Sequence, residues 1–133
     1  MGIYTDLERD FDFDIVDEFF SHYSIMCEST ESLILNLRDE DMYKISLEQL
    51  FRIFHNIKSA TGYLQITTIN NIVSLVEEFL DDCRDEKGPA SEEFIRWFFL
   101  VVDQLILFKE DLEKDRDQLS PINKEILRLP EFV

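Results

Sequence analysis

Phe94, Phe98, Val101, Leu105, Phe108 and Leu112 recur at alternating steps of four and three residues. That spacing lines six apolar side chains along one face of a helix and cannot do so along a strand, whose period is two. The same rhythm runs through Phe19, Tyr23, Met26, Thr30, Leu33 and Leu37, where Thr30 is the one polar member. It returns in Ile69, Ile72, Val73, Val76, Leu80 and Cys83. Breakers are scarce, with 3 Gly and 3 Pro in 133 residues, so little interrupts these helices. A chain of this length buries one sizeable core, and 45% hydrophobic residues supply it. The expectation is one all-α domain over residues 1–133.

The spacing predicts a first helix from about Phe11 to Leu37, with Asp12 and Asp14 at its positive end and Arg38 at the other. Ile3, Tyr4 and Leu7 before it suit a short packed arm, and residues 38–44 a charged connection. A second helix is expected from Ser46, with Gln49 completing a capping box, to about Gln65. Thr67 or Thr68 then caps a third, which DEKGPAS breaks. Ser91 caps a fourth, with Glu92 and Glu93 in its first turn. Ser120 followed by Pro121 predicts a short fifth helix over about residues 121–129, carrying Ile122, Ile126 and Leu129 and stopped by Pro130. Short connections between long amphipathic helices imply antiparallel neighbours. The expected fold is an antiparallel up-down-up-down four-helix bundle, core about residues 11–116, with an additional short C-terminal helix.

A formal net charge of −16 argues against a general electrostatic footprint for nucleic acid or an anionic membrane. The longest apolar run, residues 97–102, is far too short to span a bilayer. The acidic N-terminus lacks a signal-peptide profile, and the chain is expected to be cytoplasmic and monomeric. Cys27 and Cys83 have neither CxxC spacing nor partners at metal-ligand spacing, which suits small core residues in a reducing compartment. There is no P-loop, no glycine-rich phosphate loop and no carboxylate cage, so no metal, cofactor or nucleotide site is expected.

Chemistry concentrates in residues 54–65, FHNIKSATGYLQ. On a helical wheel Leu50, Phe54, Ile57, Thr61 and Leu64 face inward, while His55 falls on an outer strip with Phe51, Ser59, Gly62 and Ile66. Glycine inside a helix costs roughly 1 kcal/mol relative to alanine. On an outer face, where no core demands it, close approach by another molecule accounts for it. Lys58, one turn beyond His55, would favour a phosphoryl group on the imidazole. If the third helix packs beside the second, Glu77 at the edge of its stripe comes within reach of His55. A carboxylate accepting from Nδ1–H leaves the Nε2 lone pair free as a nucleophile. His22, without a metal-like partner set, reads as a structural histidine, and Trp97 as core.

Together, His55, Lys58, Ser59, Ala60, Gly62 and Leu64 resemble the core motif of the histidine phosphotransfer (HPt) family. The stretch LVEEFLDDCR is similar to the third helix of the N-terminal phosphotransfer domain of CheA-type chemotaxis kinases, whose histidine-contacting glutamate falls on Glu77. Two positions depart from the family pattern: Ser59 and Gln65 stand where glycine is common. The resemblance implies a phosphocarrier without kinase activity of its own. The ATP-binding domain of a histidine kinase would phosphorylate His55, and the aspartate of a response-regulator receiver domain would take the phosphoryl group. Phe51, Ser59, Gly62 and Ile66 would form the docking strip. A non-phosphorylated helical module that binds a kinase or receiver through the same face is the alternative.

Overall fold

A computed structural model describes residues 2–131, and among these all regular structure is helical. The five α-helices are α1 (Ile3–Asp10), α2 (Phe13–Asn36), α3 (Glu40–Tyr63), α4 (Thr67–Cys83) and α5 (Glu92–Glu113), followed by a 3-10 helix at Lys124–Leu127. The expected first four helices are α2 to α5. Their three apolar stripes are inside: every member named above is buried except Leu33, which is partly so.

α3 packs against both α2 and α4, and α2 packs against α5 as well. The start of α3 meets the end of α4 where the Tyr43 hydroxyl donates to the Cys83 carbonyl, 3.3 Å. The other ends meet where Asn70 donates to the Lys58 carbonyl, 2.8 Å. Arg38, just past α2, pairs with Glu92 at the start of α5, 3.1 Å. Phe79 near the end of α4 packs on Phe94 and Trp97 near the start of α5, with ring centroids 5.2 and 4.9 Å apart. Phe54 of α3 reaches across to Phe98 of α5, 5.6 Å. These pairings are compatible with the expected four-helix arrangement. The core they enclose is aromatic, and each fully buried Phe contributes on the order of 1.5–3 kcal/mol.

Four sequence-based boundaries are corrected. The N-terminal arm is a helix, α1, docked by Ile3 N–H donating to the Arg116 carbonyl at 2.7 Å and by Thr5 donating to Asp115 from both its backbone N–H and its hydroxyl. The second expected helix starts six residues earlier than Ser46, because Asp39 caps it by accepting from Asp41 N–H at 2.9 Å. Tyr43 then extends the inward row Leu47, Leu50 and Phe54, and Ser46 is buried within the helix rather than capping it. Neither Thr67 nor Thr68 caps α4; Ile66 occupies that position without a side-chain cap. Finally, Ser120 does not open a helix, since its N–H and hydroxyl are taken by Asp111 at 2.6 and 3.0 Å. Gln104 holds the next residues extended by donating to the Pro121 carbonyl and accepting from Asn123 N–H. Only a single 3-10 turn forms after that, capped by Asn123. It buries Ile126 and leaves Leu129 exposed.

Cys27 and Cys83 are free and buried, and burial pushes both thiols up to about 12. Trp97 lies in the core, its indole N–H donating to the Ile126 carbonyl at 2.8 Å.

Candidate functional site

The side chain of His55 is 56% exposed on the outer face of α3, and that of Glu77 on α4 is 14% exposed. Imidazole Nδ1 lies 3.0 Å from Glu77 Oε2. An ionised carboxylate only accepts, so Nδ1 carries the proton in this contact and Nε2 of a neutral ring keeps its lone pair. Nε2 has no hydrogen-bond partner among the described residues. Lys58 Nζ donates to the other carboxylate oxygen, Oε1, at 3.2 Å. Glu77 therefore bridges the histidine and the cation one turn beyond it.

The turn that carries Lys58 is pinned from α4. Asn70 Nδ2 donates to the Lys58 carbonyl at 2.8 Å and to the Thr61 hydroxyl at 3.2 Å. Thr61 in turn donates to the Ile57 and Lys58 carbonyls. Towards the N-terminus of α3, the Phe51 ring lies nearly parallel to the imidazole, 17° apart with centroids at 6.2 Å. Arg84, one residue past α4, places its guanidinium 4.6 Å from the Phe51 ring centre. Glu48 first and Asp81 second hold that guanidinium above its ordinary value by hydrogen bonding.

Of the residues expected on the docking strip, Ser59 and Gly62 are exposed and Phe51 is half-buried. Ile66 is not on the surface: it is 6% exposed, sealed at the junction of α3 and α4. The wheel continued a helix that had already ended at Tyr63. His22 is exposed on α2 and lines a shallow, largely apolar groove between α2 and α3 with Ile25, Met26, Ile53 and Asn56. The groove continues past Ile15, Phe19, Ser59 and Tyr63.

Sequence reasoning missed Asn70, Arg84 and Glu48. A signal for the last two was present in the register. The antiparallel register that sets Glu77 opposite His55 sets Arg84 opposite Glu48, each seven residues further away.

Among the described residues no cluster of three or more His, Cys, Asp or Glu could hold a metal ion, and no helix is long and apolar enough to cross a membrane. No protein-family model matches the chain, and no solved structure does. The chain is 23% identical over 107 residues to the chemotaxis protein CheA of Borreliella burgdorferi. That is a distant similarity to a chemotaxis protein. It covers 80% of this chain and 12% of the length of the relative.

Proposed function

We propose that the chain is a histidine phosphotransfer domain folded as a four-helix bundle, a phosphocarrier whose phosphoacceptor is His55. The observation that carries this reading is the exposed imidazole held at Nδ1 by Glu77, with Lys58 on the same carboxylate. The distant similarity to a chemotaxis protein and the core motif around His55 support it.

In this reading the Nε2 lone pair attacks the γ-phosphorus of ATP held by a histidine kinase. The N–P bond forms as the bond to ADP breaks. Glu77, accepting from Nδ1–H, offsets the positive charge that the ring gains. Lys58 sits one helical turn from His55, where its ammonium stabilises the added phosphoryl charge. A receiver-domain aspartate then attacks phosphorus, the N–P bond breaks and the imidazole returns. The partners bring the nucleotide and the magnesium, and this chain supplies the nucleophile and its orientation. The apolar groove between α2 and α3 reaches Asn56 and Ser59, beside His55, and offers the receiver an adjoining contact.

The test is incubation with a cognate kinase and labelled ATP, followed by addition of receiver domains. An acid-labile, base-stable label that is lost in His55→Gln and moves to a receiver is the expected result. Glu77→Gln removes a charge-assisted contact of about 1.5–3 kcal/mol, and labelling should slow roughly ten- to hundredfold. Binding of kinase or receiver that persists without any label on His55 would instead mark a scaffold.

A further inference from the structure

Phe51 is not a free apolar side chain waiting for a partner. Its ring meets two groups: the His55 imidazole, one helical turn on, and the Arg84 guanidinium from the end of α4. Arg84 is itself held by two carboxylates. Its Nε and Nη2 donate to the two oxygens of Glu48 at 2.9 and 3.4 Å, and Nη1 donates to Asp81 at 3.1 Å. The backbone at Arg84 is tied as well, its carbonyl accepting from Lys44 Nζ at 2.8 Å. A planar cation forked onto one carboxylate and braced by a second has little freedom, and Phe51 lies beneath it. Two carboxylates more than neutralise the guanidinium, so its charge is committed within the cluster rather than offered to a phosphate.

The imidazole needs this kind of support. One hydrogen bond to Glu77 anchors Nδ1, yet a ring held at one atom can still swing about that anchor. A parallel neighbouring ring restricts the swing, and offset aromatic pairs at centroid separations of about 4.5–7 Å are favourable. We propose that Arg84 is a positioning residue: through Phe51 it holds the His55 imidazole in the orientation that meets Glu77 and presents Nε2 outward. The proposal rests on His55 as phosphoacceptor, and it adds the device that keeps the nucleophile aimed.

The experiment has two readouts on the full chain. Long-range proton–nitrogen NMR of the His55 ring reports how completely the proton resides on Nδ1. Phosphorylation by phosphoramidate, followed by phosphorus NMR, reports reactivity at Nε2 without any partner protein. In Arg84→Ala and in Phe51→Leu, which keeps apolar bulk but loses the ring, the Nδ1–H population should fall towards the mixture of free imidazole. Labelling of His55 should drop about three- to fivefold, the loss expected when an exposed cation–π contact goes. Phe51→Tyr retains the ring and should restore both signals. Arg52→Ala, which removes an exposed arginine from the same helix, should change neither.

If Arg84→Ala leaves both tautomer and labelling at wild-type values, Arg84 is a surface ion pair and the proposal fails. If wild-type His55 takes no label, the phosphoacceptor reading fails instead. The tautomer response then decides by itself whether Arg84 orients the ring.

Discussion

Gly62 has room for a side chain. A Cβ built there meets only the Asn70 amide, at 3.4 Å, an ordinary contact with a side chain. Neither packing nor backbone conformation requires a glycine at this position, and helix propensity disfavours one by about 1 kcal/mol. Gly62→Ala should therefore raise stability by about 0.5–1 kcal/mol in urea denaturation. Gly62→Leu should also fold, while on the proposed function transfer from the phosphorylated chain to a receiver slows. Equal losses of stability and transfer in the leucine variant would assign the glycine to packing. At this scale the site was legible where helical periodicity governs, as for His55 with Lys58 one turn on. Glu77 was within reach of inference because apolar stripes fix which faces of α3 and α4 meet. Ile66 was misplaced because the wheel carried on past the helix end, which depends on backbone geometry and not on apolar period.

The end of α3 is itself an element-scale device. Ile66 N–H donates to the Thr61 carbonyl and Gln65 N–H to the Gly62 carbonyl, the paired pattern of a Schellman cap. Such a cap needs a left-handed residue, and Gln65 supplies it at φ 59. The family pattern that the sequence resembles expects glycine here, and a left-handed backbone gives a reason for it. A side chain in that region costs roughly 1–2 kcal/mol, part of which glycine returns through the entropy of the unfolded chain. Gln65→Gly should raise the urea midpoint by an amount equivalent to about 0.5–1 kcal/mol with an unchanged slope. A lower midpoint would mean that the glutamine side chain contributes contacts worth more than the strain. Nearer the N-terminus, α1 hangs on Asp115. The hydrogen bonds from the Thr5 hydroxyl and then the Thr5 backbone hold that carboxyl below its ordinary 3.8. A carboxyl depressed in the folded state stabilises fully above its unfolded value and loses that contribution as pH falls through the folded one. Thermal unfolding should thus show Asp115→Asn less stable than wild type at neutral pH, with the gap closing below pH 3.8. A gap that stays constant into acid would remove the charge from the explanation. Neither α1 nor this anchor was legible, because eight residues are too few for a periodic stripe and the partner lies 110 positions away.

At the scale of the molecule, the connection from α4 to α5 joins four helix ends. Ala90 N–H donates to the Leu37 carbonyl at 2.8 Å, drawing it onto the end of α2, while Gly88 lies against the Tyr43 ring at the start of α3. DEKGPAS was readable as a break, but its role as a clasp was not, since the contacts are with residues about fifty positions earlier. The all-helical plan was legible for a different reason: long apolar stripes at helical spacing leave few other ways to bury every apolar face. Gly88 has no freedom to change. Its φ is +76, and an added Cβ would collide with Tyr43 Cγ and fall within 2.8 Å of two further ring carbons. Left-handed strain and overpacking together put the cost of Gly88→Ala at about 2–4 kcal/mol. Tyr43 precedes His55 by twelve residues, about 18 Å along α3. The Arg84–Glu48 pair, the Phe51 ring and the Glu77 bridge occupy that interval, so the site has its own ties between α3 and α4. Gly88→Ala should accordingly lower the urea midpoint sharply while the His55 imidazole signals of the folded fraction stay at wild-type positions. Displaced imidazole signals would show that the clasp and the site form one cooperative unit, with the orientation of His55 set from the far end of α3.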